Sequence, residues 1–233
     1  MVLDFVAESP ATRRLDELRN AFIFRFPPLM EGARIIYFNI RSYPSPLWKP
    51  TSVPFFTARH HRLCVVTIYT RMPTIQAMNL FVLGDTFLSL TKNIDQRPAY
   101  FDWQAWGPDG TRIINCSFLS PFTFDVHGTR YACTMQQQAE HVYIYDFNQL
   151  ALKWAQKNAT TEEESSEVSM SYVNVTMPTT LRGGEIFQYD VETRLGYRVK
   201  RLSIPREPRV CVHCSEDGIV IEVSLSEQQQ TLY

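Results

Sequence analysis

Positive charge in excess is the first thing this chain lacks. Its 23 Lys and Arg residues face 24 Asp and Glu, for a formal net charge of −1. A nucleic-acid binder normally carries a basic surplus or stripe that displaces counterions from phosphates. Nucleic acid is therefore not an expected partner, and Arg13–Arg14 and Lys200–Arg201 read as solvated faces. Long apolar runs are missing too. None approaches the ~20 residues that span a bilayer, so no membrane partner is expected. The opening Met1-Val-Leu-Asp-Phe-Val has an early Asp4 and no positive n-region, which makes a poor secretion signal. The five cysteines (Cys64, Cys116, Cys133, Cys211 and Cys214) are odd in number and lack framework spacing. Reduced, mostly buried thiols and an intracellular address, cytoplasmic or nuclear, follow from that usage. Without a secretion signal, the sequons at Asn115, Asn158 and Asn174 read as chance matches.

Catalytic signatures are equally scarce. There is no Gly-x-Ser-x-Gly elbow and no helical His-Glu-x-x-His. Gly183–Gly184 runs into Glu185 rather than Lys-Ser/Thr, so no phosphate-cradling loop is expected. Cys211-Val-His-Cys214 is the one tempting metal cluster. A zinc site needs four converging ligands, whereas a strand sends Cys211 and His213 to one face and Cys214 to the other. The reading is no metal, no cofactor and no catalysis by the chain itself.

What is present is β texture. Aromatic residues make up 13% of the chain, and Tyr and Phe suit pleated, half-buried surfaces. Nine short segments rich in β-branched and aromatic residues read as strands: 34–41, 62–70, 78–84, 111–117, 129–135, 141–146, 197–204, 209–214 and 219–225. Only two stretches look helical. Ser9 and Pro10 suit a helix start, with Leu15, Leu18 and Phe22 as its stripe and Pro27–Pro28 as its stop. A second helix over 148–157 spaces Leu150, Ala151 and Trp154. Thr160–Ser171 is polar and acidic and reads as a surface loop.

Gly107-Pro-Asp-Gly110-Thr-Arg and, eighteen residues on, Gly128-Thr-Arg both read as turns entering strands of a meander. Trp103 shares a strand face with Phe101, and Trp106 approaches the first of these turns. The rings read as strand core, with a stacking platform as the alternative. At 233 residues the chain suffices to bury its own core without staples.

Several of these segments, in order, resemble one family. Tyr100-Phe-Asp-Trp-Gln-Ala-Trp-Gly-Pro-Asp-Gly-Thr-Arg112 is similar to a Trp-x-x-Trp-Gly-Pro-x-x-Thr-Arg strand–turn–strand of fungal F-box-domain-containing proteins. Val126-His-Gly-Thr-Arg-Tyr131, Val142-Tyr-Ile-Tyr-Asp-Phe-Asn148, Leu195-Gly-Tyr-Arg198 and Ser215-Glu-Asp-Gly-Ile-Val220 continue the likeness, as do Ala33–Asn39 and Val53-Pro-Phe-Phe56 upstream. Gly196 replaces the Pro usual in the third of these.

The resemblance, over about residues 11–225, implies an all-β fold of antiparallel meander sheets. These would form a partial β-propeller of about three to four blades after a short N-terminal helix. The expected division is a helical linker over 1–28 and a β-rich, propeller-like domain over 29–233. No F-box precedes that region, so a Skp1-type linker is not expected. The expected role is recognition of an unknown protein partner, related to the substrate-recognition part of ubiquitin-ligase adaptors. A truncated, non-functional fragment and an unrecognised β-class enzyme are the alternatives. Expected binding residues are Trp103, Trp106, Asp109, Arg112, His127 and Arg130, with the turns at Gly107–Gly110 and His127–Gly128 and the Glu162–Glu167 loop.

Overall fold

Strand-forming residues dominate the computed structural model, which describes residues 22–43, 61–72, 74–94, 99–115, 124–135, 138–158, 172–204, 209–215 and 218–224. The first half runs β1 (Phe22–Phe24), β2 (Arg34–Arg41), β3 (Leu63–Met72), β4 (Thr74–Leu83), α1 (Gly84–Thr91), β5 (Ala99–Phe101), α2 (Trp103–Gly110) and β6 (Thr111–Asn115). The second runs β7 (Phe124–His127), β8 (Arg130–Met135), β9 (Gln138–Asp146), α3 (Gln149–Asn158) and β10 (Val173–Val175). It ends with β11 (Thr179–Leu181), β12 (Val191–Thr193), β13 (Tyr197–Ser203), β14 (Arg209–Cys214) and β15 (Ile219–Ser224). All nine expected strands are among them.

Four strands in the order β2-β3-β4-β6 form one antiparallel sheet, and five in the order β10-β13-β9-β8-β7 form another. β14–β15 and β11–β12 are antiparallel pairs, β1–β5 is a parallel pair, and none of these sheets closes on itself. Side chains alternate across a strand, and here both faces of the central strands are buried. Cys64, Val66 and Ile68 face one way and join Leu80 and Ile113 in a core with Phe24, Phe87, Trp106 and Phe187. Leu63 and Val65 face the other way and meet Phe124, Tyr131, Tyr145 and Phe147 of the five-stranded sheet. That sheet's far face, with Ala132, Val142 and Ile144, is covered by Val210 and Val212 of the terminal hairpin. The layers are therefore helices and small sheets, four strands, five strands, and hairpin. A buried polar chain crosses the central interface. Thr67 Oγ1 donates to Asn79 Oδ1 at 2.8 Å, and Asn79 Nδ2 donates to Tyr131 Oη at 2.9 Å, so no member is left without a partner at a buried site.

Three local expectations are corrected. The N-terminal helix lies outside the described residues up to 21, and Phe22, assigned to its stripe, is in a strand. Phe22–Phe24 pairs in parallel with Ala99–Phe101. The strand and hairpin turn expected over 100–110 are a three-residue strand followed by a helix. Trp103 and Trp106, three apart, bury one helical face while Gln104, Ala105 and Asp109 stay exposed, so helical spacing overrides the alternation of Phe101 and Trp103. Gly107 is required for a reason other than turn geometry, because a Cβ there would lie 2.2 Å from the Trp103 indole. Finally, α3 presents Leu150 and Trp154 to solvent at 79% and 68% exposure and buries Leu152.

Candidate functional site

At one end of the stack, three neighbouring sheets terminate around a cavity of about 560 Å³. The end of the four-stranded sheet contributes Leu83, with His61 just before β3 and Asp85 at the start of α1, and the hairpin turn contributes Ser215. The five-stranded sheet contributes the β7–β8 turn from His127 to Arg130, Asp146 at the end of β9, and Arg198 on β13. Gly128, at φ 57°, makes the two-residue turn between β7 and β8, a conformation that L side chains rarely adopt. Its N–H donates to Tyr43 O, and its carbonyl accepts from Leu63 N–H at 2.7 Å.

Register explains why the polar groups meet. His127 pairs with Arg130, Arg130 with Asp146, Asp146 with Arg198, and Arg198 with Asn174. One polar row thus crosses all five strands on the face that the terminal hairpin covers, just beyond the paired apolar residues Ala132 and Ile144. Asp146 is almost fully buried and fully engaged. Its Oδ2 accepts from Arg198 Nη2, and its Oδ1 accepts from Thr129 Oγ1 at 3.1 Å and Asn148 N–H at 3.0 Å. The Arg198 guanidinium also lies over the Tyr172 ring, 4.7 Å from its centroid. Burial, followed by the Asp146 charge, pushes the Tyr172 hydroxyl up, and Arg130 and Arg198 pull it back. Across the cavity, His61 Nδ1 lies 2.8 Å from Asp85 Oδ2. Asn148 Oδ1 caps α3 by accepting from the Leu150 and Ala151 N–H groups.

No protein-family model, no curated protein and no solved structure matches the chain. The site therefore rests on its own geometry.

Of the six expected site residues, His127 and Arg130 come together in this cavity and four do not. Trp103 and Trp106 are core rings at 6% and 3% exposure, 5.0 Å apart, with Trp106 Nε1 donating to Arg25 O. They form no surface platform. Asp109 is exposed at the end of α2 and pairs with Arg194 at 3.1 Å. Arg112 is wholly buried and holds loops together. The Glu162–Glu167 loop lies outside the described residues. Sequence reading missed Asp146, Arg198, His61 and Asp85. The first two stood in segments it had singled out, each a charge near the end of a strand.

Cys211, His213 and Cys214 alternate on β14 as expected, and no group of three or more metal-binding side chains occurs among the described residues. Cys214 packs beside the polar row, where its backbone N–H donates to Asp125 Oδ2 at 2.8 Å. Burial, then the Asp125 charge, push its thiol up to about 11, with a backbone hydrogen bond and Arg130 acting in the opposite direction. Only the thiolate reacts, so at pH 8 roughly one Cys214 in a thousand is reactive. Iodoacetamide at that pH is expected to leave Cys214 unlabelled in the native protein and to label it in urea, as read by peptide mass spectrometry. Rapid native labelling would overturn the burial. The folded thiol keeps its proton between about pH 9 and 11 while the unfolded thiol loses it. Its contribution to stability is therefore complete below pH 9 and is lost as pH rises through that window.

Proposed function

We propose that the chain is a partner-recognition β module, of the substrate-recognition type found in F-box adaptors, and that it binds at the end of the stack where the sheets converge. The observation carrying this reading is that turns from three sheets meet there around one cavity bordered by an exposed apolar patch on α3. Leu150 lines the cavity, and Trp154 stands one helical turn further along the same exposed face of α3. Recognition residues on rigid β scaffolds concentrate on such connecting segments, and an exposed Trp beside an exposed Leu is costly to leave in water. Antiparallel sheets stacked face to face are also how neighbouring propeller blades pack, which supports a partial propeller of three to four blades. A protein partner with an apolar side chain to cover Leu150 and Trp154 fits this surface.

The test compares affinity capture by the wild type and by a Leu150→Glu/Trp154→Glu variant. Both positions are exposed, so the variant is expected to melt within about 0.5 kcal/mol of the wild type. It should lose the proteins that the wild type retains. An identical captured set would place recognition elsewhere.

A β-class enzyme is the second reading, favoured by the His61–Asp85 contact at 2.8 Å and by His127 in the same cavity. Chemistry there depends on those histidines and not on Leu150 or Trp154, so the same variant separates the two readings.

A further inference from the structure

Within the cavity, hydrogen-bonding capacity is unevenly spent. Asp146 is saturated by Arg198, Thr129 and Asn148. Gln149 gives its amide to Phe147 O and Gly196 O, at 3.0 and 2.8 Å. Ser215 Oγ donates to Gly218 O at 3.2 Å and accepts from Gly218 N–H. Asp85 is turned toward His61. The two cavity guanidiniums keep donors in reserve. Arg130 lines the cavity, and its side chain makes no hydrogen bond among the described residues. Arg198 spends Nη2 on Asp146, and its Nε has no partner among the described residues. Arginine offers five N–H donors and no acceptor, so the unspent capacity calls for acceptor atoms from a ligand.

Charge is unevenly distributed around the cavity. Across the polar row, two arginines flank a single carboxylate, Asp146, and the neighbouring Asp125 is committed to the backbone N–H groups of Val126 and Cys214. The lining as a whole balances, Arg130 and Arg198 against Asp146 and Asp85, but Asp85 lies beside His61 and both arginines lie in the polar row of the five-stranded sheet. The N-terminus of the ten-residue α3 faces the same space through Asn148, Gln149 and Leu150, and its dipole favours an anion there. The cavity is large enough for more than a bare ion, since small-molecule sites occupy roughly 300–1,000 Å³.

We propose that this cavity binds a small molecule through an oxyanion group, phosphate or carboxylate, held by the Arg130 guanidinium. Arg198, fixed by Asp146 and by the Tyr172 ring, supplies the second positive wall. Arg130 is the binding residue, and Asp146 positions Arg198. The assignment concerns ligand chemistry and stands apart from the partner reading, because a protein can dock on Leu150 and Trp154 with the cavity empty.

Inorganic phosphate and acetate serve as the probes, titrated into the full chain at constant ionic strength with chloride as the balancing anion. Binding is followed by heteronuclear NMR shifts of the Gly128 and Arg130 amides. Saturable shifts with phosphate are the expected result, and saturation with acetate alone would assign a carboxylate ligand to the same site. In Arg130→Gln the dissociation constant should rise about tenfold or more, the scale of one lost charge-assisted contact. Arg130→Lys should retain part of the affinity, and Arg201→Gln, exposed on the same sheet, should retain all of it. Two results would overturn the assignment: no saturable binding of either probe to the wild type, or binding that survives unchanged in Arg130→Gln. Since the first is measured on the wild type, a misfolding variant does not shelter the proposal.

Discussion

Arg112→Ala is expected to destabilise the protein by about 3 kcal/mol, because a charged hydrogen bond contributes roughly 1.5–3 kcal/mol and this guanidinium makes three. Arg112 is fully buried on β6. Its Nε donates to Leu195 O at 2.7 Å, and its Nη1 donates to Met177 O at 2.8 Å and Thr179 Oγ1 at 2.7 Å. Both carbonyls lie in irregular segments flanking β11 and β13, so no strand ladder satisfies them when the guanidinium goes. The opposing contribution is desolvation. Burial pulls the Arg112 pKa down, Nη2 has no hydrogen-bond partner among the described residues, and the group beside it is the Tyr197 ring, 5.4 Å from its centroid. Removing a poorly compensated cation returns several kcal/mol, which is why the expected loss falls well short of three full hydrogen bonds.

Arg112→Lys keeps the charge but puts one ammonium where a planar fork reaches two segments, so it should recover less than half of the loss. Urea unfolding of the three proteins decides the matter. A loss below about 1 kcal/mol in Arg112→Ala would mean that desolvation had cancelled the hydrogen bonds.

The same residue shows where sequence reading stops. Arg112 was singled out from the Thr-Arg step that follows a turn, and it was assigned to a binding surface. Its true partners, Met177, Thr179 and Leu195, are 65 to 83 residues away. A basic residue in a strand is usually solvated, and nothing local says otherwise here. Strands such as β3, with eight successive residues from Leu63 to Thr70 nearly all buried, are legible because β-branched and aromatic residues accumulate over ten positions. β1, β5, β10, β11 and β12 are three residues long, too short for any period to register. α1 reads as a turn at Asp85-Thr86 because only Gly84 and Phe87 reach the core, which gives no stripe. The site is half legible for a similar reason. His127 and Arg130 sit on one hairpin whose Gly128 announces the turn. Asp146 and Arg198 join them only through the pairing of β8, β9 and β13, and register between distant strands is a tertiary fact.

Phe81→Ala is expected to cost about 4 kcal/mol, at the upper end for large-to-small changes that leave a cavity. Phe81 is fully buried on β4, opposite Val65 and Arg112, and points between the two large sheets. Its ring centroid lies 4.9 Å from both Tyr131 and Phe147 and 6.3 Å from Tyr145. Those three residues belong to the five-stranded sheet or its exit, so this one ring meets the facing layer across three aromatic contacts. Two edges of the gap are already fixed. The Thr67–Asn79–Tyr131 hydrogen bonds hold one side, and the Gly128–Leu63 backbone bond holds the other. The sheets therefore cannot slide together to refill the space, which is the condition for a high cost.

Phe81→Leu keeps much of the volume and should cost about 1.5 kcal/mol. Leu88→Ala, half-exposed on α1, should cost about 0.5 kcal/mol. Thermal and urea unfolding, followed by near-ultraviolet and far-ultraviolet dichroism together, measure these values and also test the layering. If the sheets fold as one unit through Phe81, both signals should move together in a single transition in every variant. A second transition appearing in Phe81→Ala would mean that this ring couples two otherwise independent halves. A cost near 1 kcal/mol would mean that the facing layers close over the cavity despite their hydrogen-bonded edges.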